Sequence, residues 1–401
     1  MATKALTFKR QVSAPATEVA YLFTLSMHLR EWLSDVALAT PQKGGRLYLG
    51  WNSGYYASGE YTAVTPNRLG FTWRGRGYPA PTQVQVGLKE KNGITTVTVT
   101  QSGIGTGKAW GRIPDDIARG WEASLENLQS VIETGHDLRF TLRPMLGVLT
   151  EAEIDAVRAK KLGLPVDYGV RLSGVVDGLG AQAAGLRGGD VIVAIGGKKV
   201  ANAPTLFAAL QSRRAGQTVP VVIYRDGQKQ TVTMTLSARP LPEVPATAAD
   251  LAEYVRQLYA GFDAQLTECF AGATDAAANF RTGPDEWSAK DVLGHLLQGE
   301  RDGLSYLTEL QNRNERSYDD PFENSTLEVR SVAGAYPSLA ALLAEYQTTR
   351  AQTVAILAGL PPEFVARRST FWRTAYNYTQ ARPHFDEHIQ QIKNALAAAR
   401  Q

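Results

Sequence analysis

The chain has 401 residues, which predicts two to four domains at roughly 100 to 200 residues each. Apolar residues make up 44% and charged residues 20%, a globular composition that excludes a disordered, collagen-like or coiled-coil chain. With 42 basic and 39 acidic side chains, the net charge of +3 is too small to indicate a nucleic-acid binder. Residues 1–240 carry 28 basic and 18 acidic side chains and residues 241–401 carry 14 and 21, so the two parts could attract each other.

The single cysteine, Cys269, excludes an intramolecular disulfide framework and a cysteine-based zinc cluster. The first ten residues mix apolar with charged side chains, which is not the pattern of a secretory signal. No stretch approaches the 18 or so uninterrupted apolar residues of a membrane-spanning helix. We therefore expect a cytoplasmic protein without a membrane span.

Two changes in composition predict domain boundaries. A helical pattern ending near residue 132 is followed by Gly135 within a polar link, which is how a helix stops. Three prolines within residues 240–245 predict an extended linker. Segments before these prolines alternate with period two, whereas segments after them repeat with helical spacing. The expected domains therefore span residues 1–135, 136–240 and 246–401.

The first domain is predicted to contain a strand, a helix, five strands and a long helix. A strand over residues 5–12 leads into a helix that Thr17 could cap. Five strands follow between residues 46 and 101, and the last helix covers about residues 115–133. A sheet that curls around one long helix often leaves a cavity, and such cavities are typical ligand sites.

Four segments of this domain resemble the START-type helix-grip (SRPBCC) domains, and within them the branch named after the activator of the Hsp90 ATPase: residues 14–19, 30–33, 65–73 and 120–128. The resemblance implies an α+β helix-grip fold that binds small hydrophobic molecules or acts on protein partners. Four tryptophans either fill its core or line its cavity: Trp32, Trp51, Trp73 and Trp121.

The middle domain is predicted to be mostly β, with a strand starting near Phe140. Residues 184–200 read as a glycine-led turn, a buried apolar strand and a Gly-Gly hairpin. With residues 168–172 and 224–229, this pattern resembles a PDZ domain of the kind attached to HtrA-type proteases. The chain has no Gly-x-Ser-x-Gly elbow that would indicate a serine nucleophile.

The PDZ resemblance implies that the C-terminal tail of another protein adds to the sheet as a strand. The tail's carboxylate would meet the loop of Leu146, Gly147 and Val148, because Gly147 lets the backbone turn its N–H groups inward. Leu206 and Leu210, on a helix predicted over residues 204–212, either face the tail or belong to the core.

The third domain is predicted to be an all-α four-helix bundle, with Ser288 capping the second helix and Asp291 as its capping partner. His384 and His388 are four residues apart on the last helix, so both imidazoles can share one ion. His295, two turns into the second helix, can supply a third ligand and leave open positions, as in catalytic sites. We expect the nearby Glu300 and Asp302 to be solvated or to support the ligands. The four helices are expected at 248–270, 288–310, 339–357 and up to about residue 400.

Residues 286–296 and 383–392 resemble the DinB/YfiT-like family, in which one histidine of the second helix and a His-x-x-x-His pair on the last bind a divalent metal. The resemblance implies that His295, His384 and His388 are the ligands. Neutral imidazole suits zinc or nickel. The family's chemistry includes transfer and isomerisation that depend on a low-molecular-weight thiol.

Together these patterns predict a metal-dependent small-molecule transferase or hydrolase. It would carry a helix-grip domain for a hydrophobic ligand and a PDZ domain for C-terminal tails. The alternative is a non-enzymatic ligand- and peptide-binding scaffold in which the metal is structural.

Overall fold

The computed structural model describes residues 2–211, 213–316 and 325–400. The chain forms two compact units, and the first combines both ends of the sequence: Met1–Gly135 with Pro242–Gln401. The second unit is His136–Leu241. The helix-grip module and the C-terminal helical module therefore belong to one unit. Within the described residues, no helix is both long enough and apolar enough to cross a membrane.

The N-terminal module is a seven-stranded antiparallel sheet with three helices. Its elements are β1 (Thr3–Val12), α1 (Ala16–Thr24), α2 (Ser26–Trp32), β2 (Val36–Ala39), β3 (Arg46–Gly50), β4 (Tyr56–Thr65), β5 (Arg68–Gly75), β6 (Thr82–Lys91), β7 (Ile94–Gly105) and α3 (Ile113–Glu133). The strand order is β1-β7-β6-β5-β4-β3-β2. Helix α3 buries Ile117, Trp121, Leu125 and Leu128, which recur every three or four residues and join the core of the sheet.

Two details of this module differ from the sequence prediction. Helix α1 begins at Ala16 directly after Pro15, so Thr17 lies inside its first turn and does not cap it. The short elements α2 and β2 were not predicted, because seven and four residues are too few to show a period.

The second unit is a mostly β module whose sheet follows the order β13-β12-β10-β9-β8, with β11 paired to β10. Its elements are α4 (Leu138–Thr141), β8 (Val148–Glu153), α5 (Ala156–Lys161), β9 (Val170–Val175), α6 (Gly180–Ala183), β10 (Val191–Ile195), β11 (Lys198–Lys199), α7 (Ala203–Leu210), β12 (Thr218–Arg225) and β13 (Gln228–Thr235). The prediction of a strand starting near Phe140 is wrong. That stretch is a helical turn, because the Asp137 carboxylate accepts the N–H of Arg139 at 2.9 Å and starts it.

The C-terminal module is a bundle of four long helices with four short ones between them. Its elements are α8 (Ala248–Phe270), α9 (Asp275–Asn279), α10 (Ala289–Gln311), α11 (Thr326–Gly334), α12 (Leu339–Ala358), α13 (Pro362–Ala366), α14 (Arg368–Thr379) and α15 (Ala381–Ala398). The predicted cap of α10 is confirmed. The Ser288 hydroxyl accepts the N–H of Asp291 at 3.1 Å, and the Asp291 carboxylate accepts the N–H of Ser288 at 2.9 Å.

The last helix starts late enough to accommodate its proline. Helix α14 ends at Thr379 and α15 begins at Ala381, so Pro383 lies in the first turn of α15. Proline is tolerated there because the N–H that it lacks would have no partner inside the helix. The break at Gln380 therefore lets His384 and His388 lie on a continuous helix.

The two modules of the first unit meet at a buried carboxylate. Glu31 on α2 is 5% exposed. Its Oε1 accepts the Thr370 hydroxyl at 2.6 Å and the Arg373 guanidinium at 3.2 Å, both from α14. Its Oε2 lies 2.7 Å from Nδ1 of His28. Burial removes Glu31 from water, and these donors replace the lost hydration.

Further ion pairs surround this contact. Glu315 accepts Arg30 of α2 at 3.0 Å and Arg373 of α14 at 2.9 Å. Arg313 lies 2.9 Å from Glu18 of α1. Met27 of α2 belongs to the hydrophobic core of the bundle. The junction thus combines an apolar contact with charge pairs that link the two modules.

The surroundings of Glu31 keep it charged. Burial alone would raise the pKa of its carboxyl, but His28, Arg373 and the Thr370 hydroxyl outweigh burial and lower this pKa to about 2. A carboxyl whose pKa is lower in the folded than in the unfolded chain stabilises the fold above its unfolded pKa of about 4.3. That contribution is lost as the pH falls from there towards 2.

We expect Glu31→Gln to lower the free energy of unfolding of the first unit at pH 7 by about 3 kcal/mol, since a shift of one pKa unit corresponds to about 1.4 kcal/mol. The variant should also lose stability less steeply than the wild type between about pH 4.5 and 2. Urea unfolding followed by circular dichroism at several pH values measures both effects.

The matched control is Glu60→Gln, an exposed glutamate of β4 in the same module. It should unfold like the wild type. Equal free energies of unfolding for the wild type and Glu31→Gln at pH 7 would contradict a stabilising role of the charged Glu31 carboxylate.

Candidate metal centre and binding sites

Three histidines from two helices of the bundle come together. His295 lies on α10, and His384 and His388 lie one turn apart on α15. The Nε2 atoms of His384 and His388 are 3.0 Å apart, and one ring nitrogen from each of the three residues lies within 4.8 Å of the others. The structure therefore brings together all three residues that the sequence singled out as ligands.

Neighbouring side chains orient two of these imidazoles. Nδ1 of His388 lies 3.0 Å from the amide oxygen of Gln391, one turn further along α15. With the proton on Nδ1, this bond leaves the lone pair of Nε2 directed towards His384. The ring of His295 packs against that of Trp287 at a centroid distance of 5.3 Å. Gln391 was missed in the sequence, although its i+3 spacing from His388 could have revealed it.

The surroundings of His295 and His388 favour neutral rings. Burial, together with the charges that His388 and His384 would carry, lowers the pKa of His295 to about 4. Burial also lowers the pKa of His388. Neutral imidazole is the form that binds a metal, so at neutral pH His295 and His388 need not lose a proton first.

The donor set fits a divalent transition metal. Two nitrogens 3.0 Å apart can both lie at the usual Zn–N distance of about 2.0 to 2.1 Å from one ion. Three imidazoles suit zinc and nickel, and three protein ligands leave at least one coordination position free.

A cavity of about 330 Å³ in the bundle extends from His295 and His384. Aromatic residues form much of its wall: Tyr259, Phe262, Tyr306, Tyr346, Tyr378 and Phe385. Glu300 is the one carboxylate among its described lining residues. This cavity can therefore hold a small molecule beside the histidines.

The sequence left open whether Glu300 is solvated or supports the ligands, and the structure places it among protein partners instead of in solvent. It accepts the Tyr259 hydroxyl at 2.9 Å and the Thr353 hydroxyl at 3.3 Å, and Arg350 lies 3.5 Å away. Burial raises the pKa of Glu300 in spite of Arg350. Neither Glu300 nor Asp302, whose carboxylate accepts the Gln298 amide at 3.2 Å, belongs to the histidine cluster.

The second unit presents a loop and an open sheet edge. The Leu146 carbonyl accepts the N–H of Ala181 at 2.9 Å, and the Gly147 carbonyl accepts the N–H of Val176 at 2.8 Å. Because C=O and N–H point in opposite directions across a trans peptide, the N–H groups of Gly147 and Val148 point away from these partners. Strand β8, which follows, is the edge of the sheet.

Gly147 and the leucines of α7 occupy defined positions. Gly147 has φ +76°, and a Cβ there would lie 2.4 Å from the Cβ of Leu179. Leu206 and Leu210 are buried in the core of the unit together with Leu146, and Phe207 beside them is 65% exposed. Ser212, the end of the predicted helix, lies outside the described residues.

The N-terminal module contains a cavity of about 410 Å³ between its sheet and α3. Trp51, Trp73 and Trp121 line it. Their indole N–H groups donate to the Leu33 carbonyl at 2.7 Å, the Tyr55 hydroxyl at 3.3 Å and the Gln101 amide oxygen at 2.7 Å, respectively. The indole hydrogen bonds are thus satisfied within the protein, and the rings give the cavity an apolar wall.

Trp32 does not lie at this cavity. It is fully buried, its indole N–H donates to the Leu22 carbonyl at 2.7 Å, and its ring packs on Phe23 at a centroid distance of 4.9 Å. Trp32 was predicted either to fill the core or to line the cavity. The structure places it in the core, because α2 turns its side chain towards α1.

Comparison with protein families identifies three modules in this order. Residues 13–133 match the family described as activator of Hsp90 ATPase homolog 1-like protein, residues 144–236 match the PDZ domain, and residues 257–388 match the DinB superfamily. The chain is therefore a three-module protein that joins an α+β helix-grip module, a mostly β PDZ module and a helical DinB-like module.

Curated relatives cover smaller parts of the chain. A probable periplasmic serine endoprotease DegP-like of Marinomonas sp. is 35% identical over 98 residues, which are 24% of this chain and 21% of that protein. The serine protease Do-like HtrA of Lactococcus lactis is 37% identical over 99 residues, 24% of each chain. The chain thus spans between a fifth and a quarter of the length of these two relatives.

Similar solved structures include an Hsp90 activator from Plasmodium falciparum and the Aha1 dimer from Colwellia psychrerythraea. The first is 21% identical with a TM-score of 0.29, over 32% of this chain and 94% of that one. The second is 16% identical with a TM-score of 0.29, over 33% of this chain and 98% of that one.

We expect His295→Ala, His384→Ala and His388→Ala each to lose a stoichiometric divalent metal that the wild type retains. Removing one of three ligands leaves too few donors to hold the ion. Elemental analysis of the purified proteins measures the metal, and excess zinc or nickel should raise the thermal midpoint of the wild type only.

The matched control is Glu300→Gln, which changes the same cavity outside the histidine cluster and should keep the metal. If all three alanine variants retained it, the histidines would be packing residues.

We also expect peptides with a free apolar C-terminus to bind the 401-residue chain at least about tenfold more tightly than amidated peptides. Amidation removes the terminal charge and with it the charge-assisted hydrogen bonds to the loop amides. Gly147→Ala should weaken both, since its Cβ collides with Leu179. Fluorescence anisotropy of labelled peptides measures this, and equal affinity for both peptide forms would disprove the carboxylate site.

Proposed function

We propose that the protein is a metal-dependent enzyme, a transferase or hydrolase of small molecules, whose catalytic module is the DinB-like bundle. The observation that carries the proposal is the three-histidine cluster, two of whose members, His295 and His384, line the 330 Å³ cavity. Three protein ligands would leave a metal held there with at least one coordination position free, and the cavity is large enough for a small substrate.

When bound, the ion would supply Lewis acidity and lower the pKa of a coordinated water or thiol. The side chains of the chain would position and neutralise the reactants. Glu300 is our candidate for accepting a proton, because it is the carboxylate that lines the cavity and its orientation is fixed by Tyr259 and Thr353. Arg350, 2% exposed, holds the opposite charge beside it.

The other two modules would select what reaches this site. The apolar cavity of the helix-grip module supports binding of a hydrophobic small molecule. The loop at Gly147 and the edge strand β8 support binding of protein C-terminal tails.

Cobalt substitution distinguishes an enzyme from a scaffold with a structural metal. Cobalt-loaded protein with an open position should change its visible absorption on addition of azide or of a small thiol such as 2-mercaptoethanol, because these ligands enter the coordination sphere. Metal-free protein and His388→Ala treated in the same way give the background. A cobalt spectrum that neither ligand changes would favour the scaffold and contradict catalysis at this metal.

For the helix-grip module we expect Gly120→Leu to abolish the binding of hydrophobic probes. Gly120 lines the cavity on α3, and a Cβ there meets nothing within 4 Å, so the leucine side chain has room to fill the space. Leucine also has the higher helix propensity, so the fold should not be weakened. The fluorescence of 1-anilinonaphthalene-8-sulfonate and the number of small ligands retained in native mass spectrometry measure the loss.

The matched control is Gly261→Leu, at an equally open helical position of α8 in the bundle. It should bind the probe as the wild type does. Unchanged binding by Gly120→Leu would place the ligand elsewhere.

A further inference from the structure

A third cavity, of about 410 Å³, lies at the junction of the helix-grip module and the bundle. It shares no lining residue with the cavity beside His295 and His384, here called the metal-side cavity, or with the cavity between the sheet and α3 of the helix-grip module. The start of α1 and the end of α3 form one side, and the turn after α10 and the start of α14 form the other. A molecule bound here would contact both modules.

Three arginines of the bundle line this cavity: Arg313, Arg367 and Arg368. Arg313 is neutralised by Glu18. Arg367 donates to the Leu310 carbonyl at 2.8 Å, and Arg368 donates to the Glu133 carbonyl. Within residues 2–211, 213–316 and 325–400, neither Arg367 nor Arg368 forms a salt bridge. Two guanidinium groups therefore face the cavity without an acidic partner.

Three carboxylates also line the cavity, and two of them are already paired. Glu31 is held by Arg373 and Thr370, and Glu18 by Arg313. Glu363 is exposed, as is Arg368, so water screens both of these charges. His28 also lines the cavity, with its Nε2 3.1 Å from Arg313. The acids are thus either paired or solvated.

Burial and the nearby charge of Arg313 make the positive charge of Arg367 energetically unfavourable. Burial, and then the positive charge of Arg313, lower the pKa of Arg367 to about 10 even though Glu31, Glu18 and Glu363 act in the opposite direction. An anion beside this guanidinium would relieve both effects.

The backbone adds to the positive field. Helix α14 begins at Arg368 and runs for 12 residues, and its N-cap residue, Arg367, makes no side-chain cap. The first N–H groups of a helix carry a partial positive charge and bind anions readily. Opposite them, Leu22, Val131 and Ile132 give the cavity an apolar wall.

We propose that this junction cavity binds a small amphipathic anion, a phosphate monoester whose remaining part is apolar. The forked guanidinium groups of Arg367 and Arg368 and the start of α14 would receive the phosphate oxygens, and Leu22, Val131 and Ile132 would pack on the apolar part. The site goes beyond the proposed metal chemistry and does not depend on it.

Phenyl phosphate is the probe, tested on the metal-free 401-residue chain at constant ionic strength. At about ten times its dissociation constant it should raise the thermal midpoint by about 2 °C. Inorganic phosphate, which lacks the apolar part, and phenol, which lacks the charge, should each raise it less. Benzoate distinguishes a carboxylate from a phosphate site, and an effect equal to that of phenyl phosphate would overturn the choice of phosphate.

Variants test the residues directly by titration calorimetry. Arg367→Gln and Arg368→Gln should each raise the dissociation constant of phenyl phosphate about tenfold, whereas Arg367→Lys, which keeps the charge, should bind more tightly than Arg367→Gln. Arg400→Gln, an exposed arginine at the end of the bundle, makes the same charge change as a control and should bind like the wild type.

If Arg367→Gln fails to fold because its contact with the end of α10 is lost, Arg368→Gln, which changes an exposed side chain, still tests the proposal. Unchanged affinity in Arg368→Gln, or equal loss in Arg400→Gln, would overturn it.

Discussion

The two modules of the first unit are joined around one buried carboxylate, that of Glu31. A charge removed from water must be surrounded by donors, and two of these donors, Thr370 and Arg373, come from α14. Helix α14 leads through one residue into α15, which carries His384 and His388. The same stretch of chain therefore fixes the contact between the modules and places two of the three candidate metal ligands. Tyr306 connects the two regions from the other side, because it lines the metal-side cavity and donates to Glu315 of the junction.

The histidine cluster could be predicted from the sequence because its spacing is local. Two histidines four residues apart on a helix share a face whatever surrounds them. Their approach to His295 depends instead on how α10 packs against α15. Helix α15 also packs on α8, where Phe385 lies on Phe262 at a centroid distance of 3.8 Å. The partners of Glu300 come from α8 and α12, so no spacing within α10 could have revealed them.

The fold was predictable where the pattern was long. Strands of eight to twelve residues and helices of about twenty show their period plainly, and the capping residues of α10 mark its start. Short elements such as α2 carry no such signal, yet α2 supplies Glu31, His28 and Met27 to the junction. The opposite charges of the two parts of the sequence indicated attraction, but they could not identify the pair Glu31 and Arg373, which are 342 positions apart.

That separation has a consequence for synthesis on the ribosome. At about 5 to 20 residues per second, roughly 20 to 70 s pass between the translation of Glu31 and that of Arg373. During this interval the second unit, which has its own hydrophobic core, emerges complete and can fold. The nascent helix-grip module must meanwhile keep Glu31 hydrated and Met27 uncovered. A polypeptide released early would therefore expose an apolar side chain beside a charged one. Because its two segments flank the second unit in the sequence, the first unit is the last to be completed during translation.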